Sequence, residues 1–209
     1  MTNFYFIRHG QTSANAQGLK QGQINTEVTN LNEIGQKQAQ NLFNHFDISF
    51  ADRIICSPLN RTTDTANIIN QNAQLPLDFD ERILEISYGN WDGQSNQKLQ
   101  NDHPEVFDNI INDVLPSYQK IAGGETFLDV MNRVKNFMED TEQKYPNDNI
   151  IVVTHGFTIK AATLVAASIT DDKQMMFIEE PENTSVTKIK LEQSHYYCEY
   201  YNRTANDNF

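Results

Sequence analysis

Two histidine-glycine pairs stand where apolar runs end. Arg8-His9-Gly10 follows Phe4-Tyr5-Phe6-Ile7, and His155-Gly156 follows Ile150 to Thr154. An imidazole displayed where a strand leaves a sheet is placed to act as nucleophile or base, and the adjacent glycine lets the backbone approach a ligand closely. Arg61 follows Ser57-Pro58-Leu59-Asn60. If that segment opens a helix, its guanidinium and the helix N-terminus face the same mouth as the two imidazoles, and with Arg8 they make an anion pocket. Glu85 lies in Leu84-Glu85-Ile86-Ser87-Tyr88-Gly89-Asn90-Trp91-Asp92-Gly93. Apolar and aromatic surroundings raise a carboxyl pKa and suit it to donate a proton. Each residue also has a plain structural use: a satisfied core histidine, an arginine paired with Asp64, a solvent-facing glutamate. Their shared place at strand ends is what points to chemistry.

The elements needed to position them are legible as periodicities. Four apolar runs read as buried strands: Phe4 to Ile7, Arg53 to Cys56, Ile150 to Thr154 and Ser185 to Leu191. After a polar loop, Gln11 to Asn30, residues Leu31, Ile34, Gly35, Ala39, Leu42, Phe43 and Phe46 share one helical face, with Asn32 as N-cap. Ser57-Pro58 reads as a cap and a first-turn proline for a second helix through Ala66 and Ile69. Thr126 and Asp129 form a capping-box pattern ahead of the stripe Phe127, Val130, Met131, Val134, Phe137 and Met138. Thr158 to Ala167 is a small-residue helix. The order predicts an α/β fold with a mostly parallel sheet, whose ligands bind beyond the carboxyl ends of the strands. Between Gly93 and Gly123 the pattern loosens into two short helical segments, Ser95 to Asn101 and Pro104 to Asp113, read as a cap over the site. The tail from Asn202 to Phe209 is polar and reads as frayed.

Composition bounds the function. The 209 residues carry a formal charge of −12, with no clustered Lys or Arg, so nucleic acid and anionic membrane are poor partners. The two cysteines, Cys56 and Cys198, lie far apart and match neither a disulfide framework nor a zinc site. With no basic-then-apolar leader and no apolar run of membrane-spanning length, the chain reads as cytoplasmic.

The motifs Arg8-His9-Gly10-Gln11-Thr12, Asn15, Ser57-Pro58-Leu59-x-Arg61, Leu84-x-x-x-Tyr88-Gly89-x-Trp91-x-Gly93, Gly123-Gly124-Glu125-Thr126 and Thr154-His155-Gly156 occur in one order. The sequence resembles the histidine phosphatase superfamily, the phosphoglycerate mutase-like family, over residues 4 to 190. The resemblance implies one domain over residues 1–209, a three-layer αβα sandwich with a small helical cap insertion at about 94–123. It also implies metal-independent phosphomonoester hydrolysis, without a cofactor, on a small phosphorylated metabolite. His9 matches the nucleophile that becomes phosphohistidine; Arg8, Arg61 and His155 match the residues that hold the phosphoryl oxygens. Asn15 matches a further phosphate contact, and Gln21, Gly22 and Gly156 are placed with it around phosphate and substrate. Glu85 matches the acid that protonates the leaving oxygen and then activates water. A phosphoryl group needs its equatorial oxygens neutralised by fixed donors, which two guanidinium forks supply.

Two departures stand out. Thr62-Thr63-Asp64 replaces a small residue and a glutamine, adding a carboxylate near the expected pocket, and a histidine often found near position 206 in relatives is Asn206 here. Two other functions fit the residue types. His9, His155 and Glu85 could form a two-histidine, one-carboxylate metal site, although Arg8 beside His9 opposes a cation. A silent phospholigand-binding protein on the same fold is the other, although such a chain should lack His9, Arg61, Glu85 or His155. Within the family, a phosphoglycerate mutase needs extra positive charge over the pocket. The cap holds only Lys98 and Lys120 against Asp102, Glu105, Asp108 and Asp113. It offers Val106, Phe107, Ile110, Ile111, Leu115 and Tyr118 instead, which favours a phosphatase with an apolar or uncharged leaving group. The sequence leaves monomer and homodimer equally open.

Overall fold

The computed structural model describes residues 1–207. Its elements run β1 (Thr2–Arg8), α1 (Ser13–Ala16), α2 (Glu33–His45), β2 (Arg53–Cys56), α3 (Asn60–Ile69), β3 (Leu77–Phe79), α4 (Asn96–Asp102), β4 (Phe107–Asp108), β5 (Asp113–Val114), α5 (Gln119–Ala122), α6 (Phe127–Lys144), β6 (Asn149–Thr154), α7 (Gly156–Ala166), β7 (Val186–Glu192) and β8 (His195–Arg203). The main sheet has the order β3-β2-β6-β1-β7-β8. Its first four strands are parallel, and β7 and β8 close one side antiparallel.

Alternation along the strands builds three layers. Phe4 and Phe6 of β1 with Ile150 and Val152 of β6 pack under α6 and α7, whereas Tyr5, Ile7, Ile151 and Val153 face α2 and α3. Because β1 and β6 are parallel neighbours, with Arg8 opposite Thr154, their carboxyl ends bring His9 and His155 out of the sheet side by side. The expected α/β sandwich and the parallel register are therefore present. No helix among the described residues is long and apolar enough to cross a membrane.

Local chemistry fixes most boundaries. Asn32 Oδ1 accepts from Gly35 N at 2.8 Å, and Thr126 and Asp129 form a reciprocal capping box at the head of α6. Three expectations fail. Ile34 lies on the solvent side of α2, 55% exposed. Ser57 does not cap α3; that helix begins at Asn60 after Leu59, because the Ser57 hydroxyl is engaged by His155. Pro104 to Asp113 is not a helix. One 3-10 turn, Pro104–Val106, leads into the β4-β5 hairpin. Its tip is set by Asp108 Oδ1, which accepts from Ile110 N and Ile111 N, and by Asn112 at φ 53°. The tail expectation also needs correction: Asn202 and Arg203 end β8, and Thr204 to Asp207 form a turn closed by the Asp207 carboxylate. Asn208 and Phe209 lie outside the described residues.

Candidate active site

A cleft of about 290 Å³ opens at the carboxyl ends of β1 and β6, lined among others by Arg8, His9, Asn15, Gln21, Gly22, Arg61 and Glu85. His9 and His155 meet edge to face, ring centroids 5.3 Å apart. His9 is 2% exposed, and its Nδ1 lies 2.7 Å from Gly10 O. A carbonyl only accepts, so Nδ1 carries the proton and Nε2 keeps the lone pair. Burial, then the guanidiniums of Arg61 and Arg8, hold the His9 pKa well below its ordinary value. The ring is neutral at physiological pH, with the Nε2 lone pair free.

The glycine beside it acts otherwise than expected. A Cβ on Gly10 would lie 2.4 Å from Gly35 O, and one on Gly35 would lie 2.0 Å from Gln11 O. These glycines let α2 press against the turn that displays His9, rather than letting backbone touch a ligand. Thr65 Oγ1 accepts from Gly10 N, and Asn183 Nδ2 donates to His9 O, fixing the same turn from two more sides.

Arg61 is 1% exposed. Its Nε donates to His155 Nδ1 at 3.3 Å, its Nη1 to Ile24 O at 3.1 Å and its Nη2 to Gly22 O at 2.8 Å, leaving one N–H on each terminal nitrogen for a ligand. Burial lowers its pKa to about 10, so it stays charged. His155 must present Nδ1 as an acceptor, so its Nε2–H faces Ser57 Oγ at 2.7 Å. Both its nitrogens are occupied by protein, and burial with Arg61 beside it depresses its pKa strongly. In the free protein His155 therefore stands against Arg61, with Ser57 on its other side. Gly22, at φ 51°, is held by Asp92, whose carboxylate would overlap any Cβ there. Gln21 receives a hydrogen bond from Thr12 Oγ1 at 2.8 Å. The carbonyl of Asn15 is spent capping α1 at Thr12, so its amide N–H group is the part available to a ligand.

Glu85 sits half-buried across the cleft. Its pKa is raised first by burial and then by the charge of Glu180, against the opposing pull of Ile86 N, Arg61 and Arg8. Its backbone is clamped by Arg133 of α6, which donates to Arg82 O, Leu84 O and Glu85 O and pairs with Glu125 at 2.8 Å. Thr158 Oγ1 adds a bond to Leu84 O. Gly89, at φ 60°, and Gly124 permit backbone contact between the two glycine motifs, where a Cβ would stand 2.4 Å from Ala122 O and 2.2 Å from Ser87 O. Both motifs are scaffolding for the Glu85 loop.

Sequence reasoning missed Lys20, Asp113 and Glu180. Lys20 and Asp113 form an ion pair inside the cleft, and Glu180 pairs with Arg8 at 3.1 Å. Nothing local marks them, since all three lie in loops or at the end of a two-residue strand. Arg133 carried a signal: three after Val130 and four before Phe137, it falls on the buried face of its helix. Conversely, Asp64 is exposed in a groove between α2 and α3 with Glu33, Gln36 and Lys37, and adds no charge to the cleft. Of the apolar cap residues, Val106, Phe107 and Tyr118 are core, Ile110 points to solvent at 89% exposure, and only Ile111 lines the cleft. Among the described residues no group of three or more His, Cys, Asp or Glu is placed to hold a metal ion.

A neutral buried imidazole flanked by two guanidiniums, with a carboxyl of raised pKa opposite, fits a phosphoryl-transfer site on an α/β sandwich. The chain belongs to the Histidine phosphatase superfamily (branch 1), whose family profile matches residues 4–204. It is 30% identical over 193 residues to phosphoserine phosphatase 1 of Hydrogenobacter thermophilus, covering 92% of this chain and 88% of that protein. Adenosylcobalamin/alpha-ribazole phosphatase of Escherichia coli is 30% identical over 154 residues, 72% of each chain. Among solved structures, Bacillus stearothermophilus YhfR superposes with a TM-score of 0.86 at 24% identity over 98% of both chains, a likeness of fold. The protein is a phosphatase of this family, an enzyme acting on small phosphomonoesters.

Proposed function

We propose that hydrolysis runs through a covalent phosphohistidine on His9. The observation that carries this reading is the Nδ1–H bond to Gly10 O, which commits Nε2 as the nucleophile in a cleft shared with Arg8 and Arg61. Nε2 attacks phosphorus while the ester P–O bond breaks, and the leaving oxygen takes the proton of Glu85. Glu85, now a carboxylate, takes a proton from water as that water attacks phosphorus and the P–N bond breaks. Free phosphate and the neutral imidazole result. Arg8 and the two free N–H groups of Arg61 neutralise the phosphoryl oxygens, with the Asn15 amide beside them. His155 acts one step back, orienting Arg61.

Hydrolysis rather than mutase activity suits the charge of the cleft, in which Arg8, Lys20 and Arg61 meet Glu85, Asp113 and Glu180. With Glu85 entering as the neutral acid, a bisphosphate would find a surplus of only one cation there. The polar lining from Lys20, Asn96, Asn112 and Asp113 suits a small polar leaving group, in place of the apolar one suggested by cap composition. Free Cys56 and Cys198 suit the reducing cytoplasm.

The test is rapid quenching with labelled phosphomonoester. Label should be protein-bound, stable in alkali and released by acid, and absent from His9→Ala. Acid-stable label, or full turnover by His9→Ala, refutes the mechanism. Rapid interconversion of 2- and 3-phosphoglycerate with negligible phosphate release would instead make the protein a mutase with the same residues in use.

A further inference from the structure

The Arg8 guanidinium is half satisfied in the free protein. Its Nη1 donates to Pro181 O and its Nη2 meets Glu180 Oε1 at 3.1 Å, while its buried Nε has no partner. Nε and Nη2 form the side-on fork that grips two oxygens of a carboxylate or phosphate in parallel. Glu180 therefore holds one prong and leaves the other an orphaned buried donor, a state that calls for an explanation.

The seat taken by Glu180 is built for an oxygen anion. Its Oε1 lies 2.0 Å from where a Cβ on Gly156 would stand, and that same point is 3.3 Å from Arg8 Nε. The carboxylate thus rests over the first residue of α7, an eleven-residue helix, between its N-terminus and the fork. It also lines the cleft with His9 and Glu85. The two partners differ in freedom: the Arg8 side chain is 13% exposed and the Glu180 side chain 46%. Downstream, the segment is pinned by Asn183 to His9 O and by Thr184 N to Arg8 O, so the backbone stays while the Glu180 side chain has solvent to turn into.

Building on the phosphatase mechanism above, we infer that Glu180 is a resident anion that occupies a phosphoryl-oxygen seat on Arg8 in the free enzyme, yields it to substrate, and reclaims it as phosphate leaves. A phosphoryl group fills both prongs where Glu180 fills one, so substrate displaces it. The competition weakens the hold on product, which lacks the contacts of the leaving group. Glu180 is thus a determinant of phosphate affinity and release, not a catalytic residue.

Inorganic phosphate binding by calorimetry, with competitive inhibition of p-nitrophenyl phosphate hydrolysis by phosphate and vanadate, tests this in Glu180→Gln and Glu180→Ala. An ion pair this exposed is worth about 0.2–1 kcal/mol, so both variants should bind phosphate about 1.4- to five-fold more tightly than the parent. Glu179→Gln, one residue away on the exposed surface, should bind as the parent does. If instead Glu180 only props Arg8, Glu180→Ala binds phosphate more weakly and Glu180→Gln, which still accepts from Arg8, is unchanged; that result overturns the inference. No change in either variant overturns it too. A parent protein that binds no phosphate and is not inhibited by it would remove the mechanism on which the inference rests.

Discussion

Replacing Arg133 by methionine keeps the bulk of the side chain and removes its five donors. The structure says what is lost: bonds to Arg82 O and Leu84 O at 2.7 Å, to Glu85 O at 3.1 Å, and the pair with Glu125 at 2.8 Å. Removing one partner of a buried ion pair costs about 3–5 kcal/mol, because the other charge is stranded. Here the side chains are 16% and 24% exposed, so water recovers part of that loss and the low end, about 3 kcal/mol, applies. At a urea dependence of about 2 kcal/mol per molar, the unfolding midpoint should fall by roughly 1.5 M. Function should fall selectively. A positioned general acid contributes about 10²–10⁴-fold, and a carboxyl on a loosened loop forfeits part of it only where the leaving group needs the proton. Single-turnover rates on an alkyl phosphate should drop about ten- to a hundred-fold, with little change on p-nitrophenyl phosphate. Arg133→Lys, which retains charge without the fork, should fall between. An unchanged midpoint, or equal losses on both esters, would refute the assignment of Arg133 as the clamp of the Glu85 loop.

Four other outcomes are expected. Glu85→Gln should be slowed far more on alkyl than on nitrophenyl esters in the phosphorylation step; equal loss would reduce Glu85 to a structural role. Because the Glu85 pKa is raised and its acid form is the one required, the phosphorylation rate should fall as pH rises through that pKa, while dephosphorylation, which needs the carboxylate, should rise; pH-independent single-turnover rates would contradict this. His9 and His155 are held neutral in the fold but protonate near 6.5 when unfolded, so they add stability above that pH and lose it as pH falls, by about 1.4 kcal/mol per pH unit for each. Urea titrations between pH 7 and 5 should show this slope and its partial loss in His9→Asn. Gly10→Ala places a methyl 2.4 Å from Gly35 O, a clash of backbone with backbone that should lower the melting temperature and activity together; a variant that melts and turns over like the parent would show that α2 can retreat.

The sequence by itself determined what short-range patterns can carry. Short continuous apolar runs defined β1, β2 and β6, period-3.6 stripes defined α2 and α6, and with two His-Gly pairs at strand ends they announced a site beyond a parallel sheet. The chemical identities of His9, Arg61 and Glu85 were legible because each sits inside a dense local motif. Tertiary structure decided what those residues do to one another. Only the parallel pairing of Arg8 with Thr154 brings His9 and His155 into contact, and only then does His155 turn out to spend both nitrogens on Ser57 and Arg61. The roles of Gly10 and Gly124 were likewise undecidable locally, since a glycine written beside a catalytic residue looks the same whether it faces a ligand or a neighbouring backbone. The residues between Gly93 and Gly123 followed the same logic: Val106, Phe107 and Tyr118 are apolar in either reading, but all three are buried in the core, Phe107 and Tyr118 against Trp91. Charge is the least local property of all. Lys20, Asp113 and Glu180 come from three segments far apart in the chain, and their fields add in one cleft because the fold closes the distance between them.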